Sequence, residues 1–239
     1  EAMATLRKKK RASAFDVILI AVLGILALIT VYPFYNVLIL SFSNIAAQAK
    51  HTPYMWFWAL DLEGYKTIVG DVYFFLSLGN TLFVTIVGTS INMLLSVAGA
   101  YVLSKKRLPG RNFLLTLVVI PILFSGGMIP SYLLINNWLK LSNTLWALIL
   151  PPAMSAYNLI IVRNFFESIP DSLEESARID GARETTVLFR IVVPLSKPVL
   201  ATVALWCMVS HWNAWYDCML YIRDDAKYVL QYTLQRILL

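Results

Sequence analysis

Glu174-Glu175-Ser176-Ala177-Arg178-Ile179-Asp180-Gly181, followed by Ile191 and Pro194, is a charged, helix-forming stretch between two strongly apolar segments. The polar interval around it, residues 167–198, is about 32 positions long. Merely turning a chain around needs nothing so long or so regular. Ser172-Leu173-Glu174-Glu175 has the S-x-x-E form of a capping box, with Pro170 just upstream. Glu174 and Arg178 stand four apart, acid before base, worth a few tenths of a kcal/mol on a helix. Leu173 and Ala177 share one face, and Asp180-Gly181 reads as the turn that ends the helix. A second helix is predicted over roughly Glu184–Val193, ending at Pro194, with Pro198 leading into the next apolar segment. Small residues at Ser176, Ala177, Gly181 and Ala182 permit close packing against a cleft, and the flanking charges set orientation more than affinity. An inert solvated connector is the plain alternative; the regularity favours a docking surface.

Working outward, the chain is that of a membrane protein. Of its 239 residues, 59% are hydrophobic and 14% charged, and its mean hydropathy is +0.67. A soluble domain carries about 25% charged residues. Five spans can be drawn, at roughly Phe15–Phe42, Leu78–Leu103, Phe113–Ile135, Thr144–Phe166 and Val199–Tyr221, the first interrupted at Pro33. The fold class is therefore an all-α polytopic membrane protein. The run after Arg7, Lys8, Lys9, Lys10 and Arg11 is too long for a signal-peptide core and has no small-residue cleavage site, so it reads as a retained first span. Residues 1–14 form a basic N-terminus and residues 15–239 a single transmembrane domain.

Orientation follows from Lys and Arg. The N-terminus, the turn Lys105-Lys106-Arg107 with Arg111, and the segment 163–198 together hold 14 of the 20; the opposite side holds six. The positive-inside rule places the N-terminus and the charged loop in the cytoplasm. The net charge of +6 thus reflects topology, and no nucleic-acid footprint is read from it. The extracytoplasmic loop at about 43–77 is rich in aromatics (Tyr54, Trp56, Phe57, Trp58, Tyr65, Tyr73, Phe74, Phe75), which suits an interfacial belt; stacking on a sugar ring or contact with an external partner is the alternative for one or two. Pro121, Ser125-Gly126-Gly127 and Pro130 in span three and Pro151-Pro152 in span four preclude straight rods. Broken backbone at membrane depth is tolerated where protein or a water-filled cavity satisfies it, which favours transport over a purely structural role.

Glu175-Ser176-Ala177, Gly181, Ile191 and Pro194 resemble the EAA motif of ABC-importer permeases, and the wider run Ile169-Pro170 to Ala182 resembles the carbohydrate class, on the maltose-permease pattern. Asn80-Thr81-Leu82, Ala100-Tyr101 with Leu103-Ser104, and Ala147 to Pro151 match as well. Ser125 to Pro130 and His211-Trp212-Asn213 resemble the subgroup for complex or acidic oligosaccharides, of the alginate or polygalacturonate type. Ser176 departs from the motif's first alanine, a small-for-small change.

The resemblance implies a type I ABC-importer transmembrane domain in the bacterial inner membrane. A second homologous permease would complete the path, two ATPases would dock below, and an extracytoplasmic binding protein would deliver an oligosaccharide. Glu174, Glu175, Ser176, Ala177, Arg178, Asp180, Gly181, Ile191 and Pro194 would form the ATPase-coupling site. The family has a sixth span beyond the position of Leu239, and residues 228–239 are too short to supply it, so a truncated or incompletely represented chain is expected. No G-x-x-x-x-G-K-[ST] phosphate loop occurs, so ATP and Mg are expected on a partner and no cofactor on this chain.

His211, Trp212, Asn213, Trp215, Tyr216 and Asn158 are the candidate substrate-path residues. Polar groups inside a bilayer usually face a bundle interior or a cavity. An interfacial cap or inter-subunit hydrogen bond is the plainer reading for the His211 cluster, as interhelical hydrogen bonding is for Asn92, Asn136, Asn137 and Asn158. Cys207 and Cys218 read as buried small hydrophobes, and no metal site is indicated. A membrane-embedded enzyme would need a catalytic constellation, but neither H-E-x-x-H nor G-x-S-x-G occurs. A passive channel or scaffold leaves the charged loop without a purpose.

Overall fold

The computed structural model describes residues 14–44, 56, 60–124 and 126–238. The basic N-terminal cluster, Tyr54, Phe57, Trp58 and Ser125 lie outside these. Contacts divide the chain at Gly70 into two units.

In the first unit, α1 (Ala14–Ser41) is apolar on all sides, and nearly every side chain described on it is exposed. Its Ile18–Ser41 portion is long and apolar enough to cross a membrane. The helix runs through Pro33 without interruption, which corrects the expected break. In apolar surroundings, opening the helix would strand further backbone groups, at a greater cost than the one hydrogen bond proline removes. Beyond it, Ser43 pairs with Leu60 in an isolated bridge, and Tyr65 on α2 (Glu63–Gly70) stacks on Phe42 at 5.3 Å while its hydroxyl donates to Ser41 Oγ at 2.9 Å.

The second unit is built around α3 (Val72–Ser104), 33 residues long. It starts six residues before the expected Leu78 because Asp71 caps it, its side chain accepting from the Tyr73 amide. The third apolar segment breaks into α4 (Arg111–Leu123) and α5 (Met128–Trp138, its last turn π-helical). α4 passes through Pro121; the bend comes later, where Phe124 is extended and Gly127 has φ +83°. The fourth segment is not a single rod either. A short α6 (Trp146–Ile149) gives way at Pro151-Pro152, and α7 (Ala156–Glu167) starts afresh with Ser155 as its cap. The fifth is α10 (Lys197–Trp212), broken at Asn213-Ala214 before α11 (Trp215–Tyr221). A final helix, α12 (Leu230–Leu238), comes after it. The five expected segments are thus mainly helical, but by length and apolarity α1 and α3 qualify singly as spans, and two bent pairs bring the count to at most four among the described residues.

Two apolar clusters sit along α3. One gathers Ala100 and Tyr101 with residues of α7, α10 and the charged loop, including Val162, Leu188 and Val203. The other gathers Val84 with Ile135, Leu148, Cys218 and Tyr221. Between them on α3 lie Gly88, Thr89, Asn92 and Ser96, all small or polar and all buried. Small residues let helices approach closely where lipid offers no hydrophobic drive to associate.

Candidate functional site

The charged loop folds as two helices. α8 (Asp171–Ile179) begins after Pro170, whose ring has no polar atom to cap it. The expected capping box at Ser172 is therefore corrected. The helix starts two residues earlier than a Ser172 cap would set it, and Asp171 and Glu174 in its first turn offset the exposed amides through the helix dipole instead. At the far end Gly181 takes φ +82°. Its amide donates to Arg178 O at 3.0 Å and the Ala182 amide to Ala177 O at 2.9 Å, the paired bonds of a Schellman ending. α9 (Glu184–Leu195) then continues through Pro194 rather than ending there, by way of a π-helical turn at Leu188–Val192. α9 and α10 meet at 85°, with Ser196 as the corner.

The faces of α8 carry different chemistry. Glu174 points inward, its side chain 11% exposed, and pairs with Lys105 at the end of α3. Ala177 packs on the apolar cluster of α3, α7 and α10, whereas Leu173 is exposed, so the buried stripe is Glu174–Ala177 rather than Leu173–Ala177. Glu175, Ser176 and Asp180 face outward, and Ile179 is 87% exposed. A Cβ on Gly181 would meet nothing within 4 Å, so the turn is open on its outer side. Ile191 is half-buried and Pro194 exposed.

Arg178 donates to Glu184 from two nitrogens, at 3.0 and 3.2 Å, and reaches Glu174 at 3.4 Å. The Tyr101 hydroxyl donates to Glu184 at 2.6 Å. That hydrogen bond, and after it the Arg178 guanidinium, hold the Glu184 carboxyl below its ordinary value. Glu184 in turn holds the Arg178 guanidinium more firmly protonated. Alongside lies a cavity of about 980 Å³ bordered by the turn after α3 and by α8. Next to it, Arg111 and Arg163 both pair with Glu167 and both direct Nε at Leu103 O, so one carbonyl in the last turn of α3 is answered by two cations.

The candidate path residues fall into separate links. His211 is 3% exposed, with Nε2 2.9 Å from Asn92 Oδ1, and Asn92 Nδ2 donates to Pro152 O at 2.7 Å. The break between α6 and α7 thereby finds a donor for one of its carbonyls. Asn158 is buried and donates to Cys207 Sγ at 3.4 Å. Asn92 and Asn158 thus take the interhelical role expected of them. Trp212 is half-buried; Asn213 is exposed and spends its amide on Val209 O. Trp215 and Tyr216 pack edge to face at 5.6 Å, and the Tyr216 hydroxyl meets Met128 Sδ. Among the described residues, no group of three or more His, Cys, Asp or Glu is placed to hold a metal.

Several residues that the structure makes central have no role that sequence reasoning assigns. Tyr101 and Lys105 are one helical turn apart at the end of α3, where Lys105 reads from sequence as a topological charge alone. Asn80 and Thr81 match the family pattern without a task. Asn80 Nδ2 donates to Ala226 O and Tyr228 O, at 2.9 and 3.0 Å, and Thr81 Oγ1 accepts from the Leu230 amide at 2.7 Å. An i, i+4 spacing at the end of a span is the available signal for the first pair.

Residues 2–215 match the family model described as binding-protein-dependent transport system inner membrane component. The chain is 43% identical to Protein LplC of Bacillus subtilis over 233 residues, covering 98% of this chain and 79% of that one. It is 42% identical to the polygalacturonan/rhamnogalacturonan transport system permease protein YtcP of the same organism, covering 94% and 78%. Among solved structures, a chain of a bacterial ABC transporter involved in the import of the acidic polysaccharide alginate superposes with a TM-score of 0.89 at 35% identity, over 93% of this chain and 79% of that one. With that coverage and that fold, the chain belongs to the binding-protein-dependent transport inner membrane component family, as an ABC-importer permease with the type I transmembrane fold rather than an enzyme in its own right.

Proposed function

We propose that this permease carries an oligosaccharide, of the uronate-containing acidic class, from an extracytoplasmic binding protein into the cytoplasm. A second homologous permease completes the path, and two ATPases that bind ATP and Mg dock on the α8–α9 loop. The N-terminus and that loop are cytoplasmic. The observation that carries the reading is the outer face of α8: Glu175, Ser176 and an 87%-exposed Ile179 beside an open Gly181 turn, on a helix whose other face is locked to α3. Ile179 stands beside charged and small residues on that face, where a partner can cover it. The substrate class is supported by the substrates after which YtcP and the alginate importer are named.

Mechanically, ATP binding draws the two ATPases together and carries the docked loops with them; hydrolysis returns them. ATP shifts the two permease arrangements only by its differential affinity for them. This chain supplies no bond chemistry; it supplies the lever and half the path. The test is uptake of galacturonate and alginate oligomers into proteoliposomes holding both permeases, the ATPase and the binding protein. Uptake that requires ATP and the binding protein is expected. ATP-independent flux, or uptake of neutral oligomers alone, would contradict the reading.

A further inference from the structure

The two neighbouring glutamates of α8 lead away from each other. Glu175 is exposed on the outer face; Glu174 is buried and paired with Lys105. Following the contacts from Glu174 returns to the start. Arg178 bonds both Glu174 and Glu184, the Tyr101 hydroxyl donates to Glu184, and the Lys105 ammonium lies 4.0 Å from the centre of the Tyr101 ring. Five side chains thus close a ring across three elements: the last turn of α3, α8 and the first turn of α9.

The position of this ring is what gives it consequence. α3 is the longest helix, packed on α10 and α7, and touching α6 and α12. α8 is tied to the end of α3 by this ring and, weakly, by the exposed Asp171–Lys106 pair, with Ala177 packed on the apolar cluster. A force applied to the outer face of α8 therefore reaches α3 through the ring, and α3 carries it across the bundle. Ion pairs suit this task because an unpaired carboxylate in the position of Glu174 is costly, so the two elements move together rather than slide.

We propose that Tyr101, Lys105 and Glu174 are positioning residues that fix the docking helix to α3, so that Glu175 engages the partner while Glu174 transmits the movement inward. The proposal rests on the coupling reading above and adds the route that the movement takes.

The experiment measures oligosaccharide taken up per ATP hydrolysed, in proteoliposomes holding the complete importer, for wild type, Lys105→Met, Tyr101→Phe and Lys105→Arg. In Lys105→Met, uptake falls about tenfold or more while hydrolysis stays within about threefold, so the ratio falls, as for a coupling energy removed. Tyr101→Phe shifts the ratio in the same direction by a smaller factor. Lys105→Arg keeps most of it. A role confined to folding would lower uptake and hydrolysis together and leave the ratio unchanged, and that result overturns the proposal. If Lys105→Met fails to assemble, Tyr101→Phe and Lys105→Arg decide: a wild-type ratio in Tyr101→Phe, or a loss of about tenfold in the ratio of Lys105→Arg, counts against the ring. Should the wild-type complex itself hydrolyse ATP without any link to uptake, the coupling reading falls and the ring with it; should the wild type couple while Lys105→Met keeps its ratio, the ring alone falls.

Discussion

The two ends of α3 are fastened by opposite chemistries. At the Tyr101–Lys105 end the partners are charged, Glu174, Glu184, Arg178, Arg111 and Arg163, and part of each pair is open to solvent. At the Asn80–Thr81 end the fastenings are neutral: amide and hydroxyl groups bonded to the backbone of residues 226–230, with Ser77 Oγ 2.8 Å from Thr233 Oγ1. Neutral bonds to backbone hold one geometry. The charged pairs join two separate elements: the buried carboxylate of Glu174 keeps α8 with α3, while the outer face of α8 stays open to what docks there. The difference marks one end as an anchor and the other as a joint.

Four changes put that contrast at risk. The largest effect is expected at the joint: Glu175→Lys, on the outer face, is predicted to leave membrane insertion intact and reduce uptake about 100-fold, near the upper end of coupling effects. Uptake at the wild-type rate would remove the basis for assigning that face to the ATPase. Next comes the midpoint, where a Cβ on Gly88 would lie 2.5 Å from the His211 ring, itself pinned by Asn92. Gly88→Ala is expected to destabilise the detergent-purified permease by about 1–3 kcal/mol through overpacking, with the uptake-to-ATP ratio of the surviving complex unchanged. A fall in the ratio instead would place the midpoint in the joint. At the anchor, Thr81→Val leaves the buried Leu230 amide without its acceptor, a loss of about 1 kcal/mol or somewhat more, again without a change in ratio. A drop in ratio without a drop in melting temperature would reverse the roles of the two ends.

The smallest effect is one of pH. Glu184 has its folded value depressed below the ordinary 4.5 by the Tyr101 hydroxyl and then by Arg178. Its contribution is therefore fully present above that ordinary value and is lost as pH falls through the depressed one. With the side chain 61% exposed, water screens most of the interaction. Melting temperature measured from pH 7 downward is expected to show a small step below 4.5 in the wild type that Glu184→Gln lacks. Superimposable curves would remove Glu184 from the joint.

Much of the architecture was legible in the chain because lipid allows few solutions. Runs such as Ile18 to Leu40 had to be helical, and proline and glycine near Gly127 and Pro151 had to interrupt their spans. The loop's two helices and the Gly181 turn followed from local signals. Pro33 misled, since a proline can be carried within a helix when opening it would strand more backbone groups, and Pro194 stands one residue short of the end of its helix rather than at it. The inward turn of Glu174 was invisible for another reason. Sequence spacing pairs Glu174 with Arg178, but only the bend after α7 brings α8 against Lys105, some 69 positions earlier. The same holds for His211, whose partner Asn92 lies 119 positions away. Long-range pairings between polar residues leave no periodicity to read.

Cross-linking from the outer face of α8 tests the docking assignment at its source: Ile179 is replaced with cysteine and the assembled importer treated with a short thiol-reactive cross-linker. Cys207 and Cys218, both buried, provide the background, which the wild-type protein measures. The expected result is a covalent product between the permease and the ATPase, formed in inside-out vesicles and diminished when the complex is held in a different nucleotide state. Ile179→Cys labelled by a membrane-impermeant maleimide from the extracytoplasmic side, with no adduct to the ATPase in any nucleotide state, would contradict it.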